Sequence, residues 1–248
     1  MANDIIQVAV QNSLQTSDWV LIGTALFLGI IALIVPWLSE LIKRRLFAPS
    51  LEIDFEQKPP DCHITRNKAV TPGGEILRDE PVYYFRFRVS NTGKTQAKKC
   101  EVVLEQLYSA NAAGNFKASE RYSPINIIWG SFQGEYVDIN PKRRYFCDLF
   151  HIPSKDDQKI SRSHYVNPPE AAPYDLGIVL NVKGAFYSQP NRLPPGKYKL
   201  DIAVFSENCK TIRRSFVITW SGNWKDTEEN MFKEVVVEEL RPFSIPHY

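Results

Sequence analysis

The chain has 248 residues, a net charge of +2, and 44% hydrophobic and 23% charged residues. So small a charge, with no basic run interleaved with aromatics, argues against a nucleic-acid partner. The length allows one or two domains, and 17 prolines with 14 phenylalanines and 11 tyrosines favour strands and loops over a helical bundle.

The first predicted element is a membrane span. Trp19–Leu38 reads WVLIGTALFLGIIALIVPWL, with no charge and Thr24 as its only polar side chain. Twenty residues in a helix, at about 1.5 Å each, cover a hydrocarbon core of about 30 Å. Trp19 and Trp37 stand at its two ends, where indole rings favour the headgroup level. A buried core helix would need a polar face, and this segment has none. A cleaved signal peptide would need a basic n-region, but residues 1–18 carry Asp4 and Asp18 and no Lys or Arg. The expectation is an uncleaved signal-anchor. Lys43, Arg44 and Arg45 follow the span and nothing basic precedes it. The positive-inside rule therefore puts residues 1–18 outside as an extracytoplasmic tail and the rest of the chain in the cytoplasm, in a single-pass arrangement in the cell (inner) membrane.

No Asn-x-Ser/Thr acceptor occurs, and Cys62, Cys100, Cys147 and Cys209 have no disulfide-rich spacing, as suits a reducing compartment. Within the span, Ala25, Gly29 and Ala32 fall on one stripe, a small-residue pattern that lets two helices approach closely and makes a homodimer a candidate. Residues 39–50 form a basic juxtamembrane segment, helical until Ala48-Pro49-Ser50 breaks it.

A mostly β domain is expected over residues 51–240, with a short tail at 241–248. LEIDFE (51–56) alternates apolar and acidic residues, as a half-buried strand does. Residues 57–81 are a Pro-, Gly- and charge-rich loop or hairpin excursion. Then Tyr83, Phe85, Phe87 and Val89 alternate with Tyr84, Arg86, Arg88 and Ser90, before an Asn91-Thr92-Gly93 turn. A strand starts with Cys100, Val102 and Leu104 and runs towards Tyr108, and Ala113-Gly114-Asn115 turns the chain. Further strands are expected at Ile125–Trp129, Glu135–Ile139, Arg144–Ile152 and Leu176–Val182, with a long polar loop at 153–175. Leu193-Pro194-Pro195-Gly196 leads into KYKLDIAVFS, which pairs with Thr211–Trp220. Asp226 is placed to cap a short helix with Glu229 three residues on. Val235–Val237 continues that helix or closes a sheet. Short strands punctuated by turns point to an antiparallel sandwich or barrel.

The runs NTGKTQAKKCEVVLE, DINPKRRYFCDLF and LPPGKYKLDIAVFSEN carry a resemblance. Their order resembles the bacterial cell-adhesion-related (CARDB-type) immunoglobulin-like β-sandwich modules, through Asn91, Gly93, Ala97, Ile139, Pro141, Pro195, Gly196 and Tyr198. The resemblance covers about residues 82–206, with gaps. It implies an immunoglobulin-like antiparallel sandwich, here with a long insertion at 153–193, and it concerns turns and core positions, so function does not follow from it. Typical modules lie outside the cell and often in tandem, unlike the arrangement expected here.

Chemistry-bearing motifs are sparse. Cys62-His63 has no second pair to complete a zinc set. Cys147 and His151 are the residues from which a nucleophile–base pair would be built, although a buried inert thiol is the simpler reading of Cys147. Asp54, Glu56, Asp61, Asp79 and Glu80 lack the spacing of a calcium loop. Arg86 and Arg88 on a strand, with Lys142, Arg143 and Arg144 near a turn, form a candidate basic surface for headgroups or an acidic partner. No cofactor or metal is expected. The expected function is a non-enzymatic protein-binding or scaffold module held on the cytoplasmic membrane surface, its partners the bilayer and an unidentified protein. The alternatives are an enzyme with a loop-built site around Cys147 and His151, and a membrane effector activated by clustering.

Overall fold

A computed structural model divides the chain into two compact units, residues 1–48 and 49–248. The described residues are 16–120, 122–130, 134–154, 177–183 and 191–240. Most of the predicted outer tail, most of the 153–193 insertion and the 241–248 tail lie outside them, as do the side chains of Lys43, Arg44 and Arg45.

The first unit contains helix α1 (Thr16–Leu46). Within it Trp19–Glu40 is long and apolar enough to cross a membrane, and none of that stretch is buried. The Thr24 hydroxyl donates to the Val20 carbonyl and the Ser39 hydroxyl to the Pro36 carbonyl, each at 2.8 Å. Both hydroxyls thus find partners inside the helix, so neither needs a polar surrounding. The helix continues through Pro36, which has no N–H to offer the preceding turn.

In the second unit the chain forms β1 (Leu51–Asp54), β2 (Cys62–Val70), β3 (Ile76–Asn91), β4 (Ala97–Ala110), β5 (Phe116–Ala118), β6 (Ile125–Asn126) and β7 (Ile128–Trp129). It goes on through β8 (Val137–Ile139), β9 (Arg144–Pro153), β10 (Ile178–Leu180), β11 (Arg192–Leu193), β12 (Gly196–Phe205) and β13 (Ile212–Trp220) to helix α2 (Glu228–Glu234) and β14 (Val235–Leu240). Among the described residues these strands make two antiparallel sheets. One runs β1-β3-β9-β10-β11, with β2 on β3 and β7 on β9; the other runs β14-β13-β12-β4-β5, with β6 and β8 on β4.

The alternation in β3 decides which face is buried. Tyr83, Phe85, Phe87 and Val89 are fully buried, while Tyr84, Arg86, Arg88 and Ser90 point to the outer face and are half-buried. The inner faces of the two sheets meet: Phe216 of β13 lies 5.7 Å from both Phe87 and Phe55. Phe85 stacks on Phe150 at 4.5 Å, and Tyr83 meets Trp224 at 5.0 Å. Each such ring contributes about 1.5–3 kcal/mol on burial.

Of the loop or hairpin expected at residues 57–81, the hairpin forms, with β2 and the start of β3 paired from Cys62↔Phe85 to Val70↔Ile76. Three local expectations change. Ile125–Trp129 is two strands: β6 pairs with β4 and β7 with β9, so the chain crosses between sheets at the buried Ile127. The strand expected over Glu135–Ile139 is confined to Val137–Ile139. Thr227, rather than Asp226, occupies the N-cap position of α2, and the Asp226 carboxylate instead accepts from the Trp224 indole at 3.3 Å. After α2 the three valines at 235–237 favour extended backbone, and β14 closes the second sheet.

The outer edge of β14 is occupied by a side chain from the other sheet's side of the sandwich. Gln57 Oε1 accepts from the Val237 N–H at 2.8 Å, and its Nε2 donates to the Val235 and Phe232 carbonyls at 2.7 and 3.0 Å. One amide thus replaces a residue of a missing neighbour strand and ties the segment after β1 to β14.

Candidate functional site

The five cations of the candidate basic surface fall into two places. Arg86 and Arg88 lie on the outer face of β3, and both are engaged. Arg88 is 14% exposed and pairs with Asp61 at 3.1 Å and Glu56 at 3.4 Å. Asp61 is fully buried and also accepts from the Glu56 N–H at 2.9 Å. Burial raises its pKa in spite of that bond and of Arg88. Arg86 covers the Phe146 ring at 4.3 Å and donates to the Pro60 carbonyl at 2.7 Å.

Lys142, Arg143 and Arg144 lie elsewhere, exposed in the turn from β8 to β9 and at the start of β9. That turn sits at the end of the sandwich where the chain arrives at β1, and Asn91 builds the junction. Its buried side chain accepts from the Ser50 and Gly93 N–H groups at 3.2 and 3.0 Å. It donates to the Thr95 and Ile139 carbonyls, each at 2.8 Å. All four bonds available to an Asn side chain are made. Its backbone pairs with the same turn: Lys142 N–H donates to Asn91 O at 2.8 Å and Asn91 N–H to Arg143 O at 3.0 Å.

Two more turns join this end. Gln96 Nε2 donates to Asn140 Oδ1 at 3.0 Å, and Asn208 Nδ2 donates to Gln96 O at 2.9 Å. Asn208 Oδ1 accepts from Lys98 N–H at 2.9 Å. These bonds gather Lys94, Lys98, Lys99 and Lys210 with Lys142, Arg143 and Arg144, all exposed. Two of the lysines hold left-handed backbone, Lys99 at φ 46° and Lys142 at φ 60°. Lys142 follows Pro141 in a turn closed by Arg143 N–H to Asn140 O at 3.1 Å, where glycine is the residue that costs least.

A second polar cluster lies on the outer face of the first sheet. His63, Tyr84 and His151 are register partners across β2, β3 and β9. Tyr84 is 6.4 Å from His63 and 5.4 Å from His151, with rings nearly parallel. His151 Nδ1 donates to Asn181 Oδ1 at 2.7 Å. In the next row Asp148 faces Arg86. Burial pushes the Asp148 carboxyl up to about 6, with Arg86 opposing. Burial also lowers the pKa of His63 and raises that of Tyr84. His63 Nδ1, Arg86 Nε, Asp148 Oδ1 and Asn181 Nδ2 are buried and have no hydrogen-bond partner among the described residues. Gly130 leaves room for the carboxylate, since a Cβ there would stand 2.7 Å from Asp148 Oδ1.

Cys147 and His151 are not brought together. Cys147 pairs with Phe87 on the inner face, fully buried, and its Sγ lies 3.5 Å from the Ile128 carbonyl; His151 is on the outer face. Burial raises the Cys147 thiol pKa well above its ordinary value and that of Cys100 to about 11, so neither is a thiolate near neutral pH. All four cysteines are free thiols. Among the described residues no group of three or more His, Cys, Asp or Glu is placed to hold a metal ion; His164 and His247 lie outside them. On α1, Trp19, Trp37, Ala25, Gly29 and Ala32 are all exposed, and nothing lies within 4 Å of the position a Cβ would take at Gly29.

No protein-family model matches the chain, and no curated protein matches it. Sequence reasoning missed Lys94, Lys98, Lys99 and Lys210 at the basic end, because their proximity to Lys142 depends on pairings between segments far apart in the chain. The signal within reach was Asn91, whose turn role was legible and whose side chain organises that end.

Proposed function

We propose that the chain is a membrane-anchored β-sandwich, facing the cytoplasm, that acts as a protein-binding or scaffold module with no catalytic role. The observation that carries the reading is the wholly unburied apolar stretch Trp19–Glu40, followed by a separately packed β unit. The cations at 43–45 and four free thiols support the cytoplasmic side and an uncleaved anchor. Exposed Ala25, Gly29 and Ala32 leave a homodimer through the helix open to the bilayer.

The sandwich is read as immunoglobulin-like. The runs β1-β3-β9 and β13-β12-β4 follow the order of strands A-B-E and G-F-C in such domains. Near the start of β12 the Tyr198 hydroxyl donates to the Pro194 carbonyl at 2.8 Å, four residues upstream, in the manner of a tyrosine corner. Ala97 and Ile139, two positions of the CARDB-type resemblance, are register partners. Sandwiches of this type present their end loops to partners, and a tether raises the local concentration of whatever they bind at the bilayer.

The orphaned Asp148 oxygen favours a second reading, a small-molecule or acid–base site on the outer face of β3 and β9. Native mass spectrometry of the full chain purified in detergent separates the two. A stoichiometric protein partner, unchanged in Asp148→Asn, is the result expected. A retained small molecule that Asp148→Asn loses overturns the first reading in favour of the second.

A further inference from the structure

We infer that the end of the sandwich where the chain enters at Ser50 is a docking surface for anionic lipid headgroups. The inference rests on the membrane-anchored reading and names a partner for that module.

Three observations carry it. The first is charge. Lys94, Lys98, Lys99, Lys142, Arg143, Arg144 and Lys210 are exposed on turns locked together through Asn91, Gln96, Asn140 and Asn208. Lys98, Lys142, Arg143, Arg144 and Lys210 make no ion pair among the described residues. Of the acidic groups at this end, Glu207 pairs with Lys99 at 3.1 Å, while Asp138 and Glu52 bond neutral donors, the Lys99 N–H at 2.8 Å and the Thr92 hydroxyl at 3.1 Å, and form no ion pair with the five cations. The cations are therefore left facing outward on a rigid base.

The second is backbone conformation. Lys142, whose ammonium makes no ion pair among the described residues, occupies a left-handed position at this same end. A lysine there bears a strain that glycine would relieve, which is reasonable where its ammonium group has a use.

The third is the tether. Phe47–Ser50 separates the last helical residue from β1, and four residues span at most about 14 Å when extended. The tether attaches at the basic end of the sandwich. A surface carrying unpaired cations, held by so short a leash on a chain with a membrane anchor, meets headgroups at high effective concentration. A free acidic protein has no such advantage.

The test is hydrogen exchange on the full chain in nanodiscs, either of zwitterionic lipid alone or with an added fraction of anionic phosphatidylglycerol. Retention in the disc reads the anchor, and exchange in the turns at 92–96, 140–143 and 206–211 reads the docking. The expected result is exchange in those turns slowed about fivefold or more by anionic lipid, the factor that one neutralised cation supplies. High salt restores the rate. So does the variant Lys142→Gln, Arg143→Gln, Arg144→Gln, Lys210→Gln, with exchange in the core strands unchanged. Equal rates in both discs, or a slowing that the variant and salt leave intact, overturn the docking while the anchor stands. Slowing produced by added polyglutamate and not by anionic lipid also overturns it and reassigns the surface to an acidic protein. A chain that separates from the disc overturns both readings.

Discussion

Arg88 and Arg143 are the same side chain in the same candidate surface, and the fold treats them in opposite ways. Arg88 sits on a strand, where alternation sends it to the outer face, but the segment after β1 brings Glu56 and Asp61 against it and leaves it 14% exposed. Arg143 sits in a turn whose backbone is fully used by Asn91 and Asn140, and its side chain is left in solvent. An outward-facing position in a strand pattern therefore does not make a free charge. What decides is whether another segment crosses that face, as the one after β1 crosses Arg88.

The largest way to break the comparison is Arg88→Ala. It leaves Asp61 buried and unpaired, and a loss of about 3–5 kcal/mol is expected in urea unfolding. Asp148→Asn sharpens it from the other side. The folded pKa of Asp148, about 6, lies above the ordinary 3.8. The native state therefore holds a proton between about pH 4 and 6 that the unfolded chain has released. Stability falls as pH rises through that window, and the deficit is complete above it. Removing the charge should stabilise the protein at pH 7 by up to about 3 kcal/mol and flatten the thermal midpoint between pH 4 and 6. Gln57→Ala strips the partner from Val237 N–H and the Val235 carbonyl on the edge of β14, with an expected cost of about 1–3 kcal/mol. The smallest effect belongs to the basic end. Lys142→Gly should leave stability unchanged or raise it by up to about 1 kcal/mol, since glycine accepts φ 60° without strain, while weakening the response of the turns to anionic lipid.

Much of the β domain was legible because period-two alternation is a local signal. Tyr83, Phe85, Phe87 and Val89 announce an inner face without reference to any partner, and so do Leu51 with Ile53 and Tyr198 with Leu200. The helix was legible because twenty uncharged residues admit few other readings. Long-range events were not. That Ile127 is a crossing point between sheets depends on Val102 and Val182, and that Gln57 completes the edge of β14 depends on a strand about 180 residues later. The polar cluster of Tyr84, Asp148 and His151 was hidden for the same reason. Each is unremarkable in its own strand, and only the register places them on one face. Cys147 was legible as a buried thiol, yet its separation from His151 depends on the irregularity between Phe85 and Arg86 in the pairing of β3 with β9.

The anchor is the claim on which the tether, the local concentration and the docking surface all depend, and a signal sequence is its direct rival. The decisive measurement is the mass and membrane retention of the chain expressed at full length, after washing membranes at alkaline pH and treating intact cells with protease. The account predicts a chain that keeps residues 1–48, stays in the membrane pellet and has its β unit untouched by external protease. A soluble product that begins beyond the helix would contradict it.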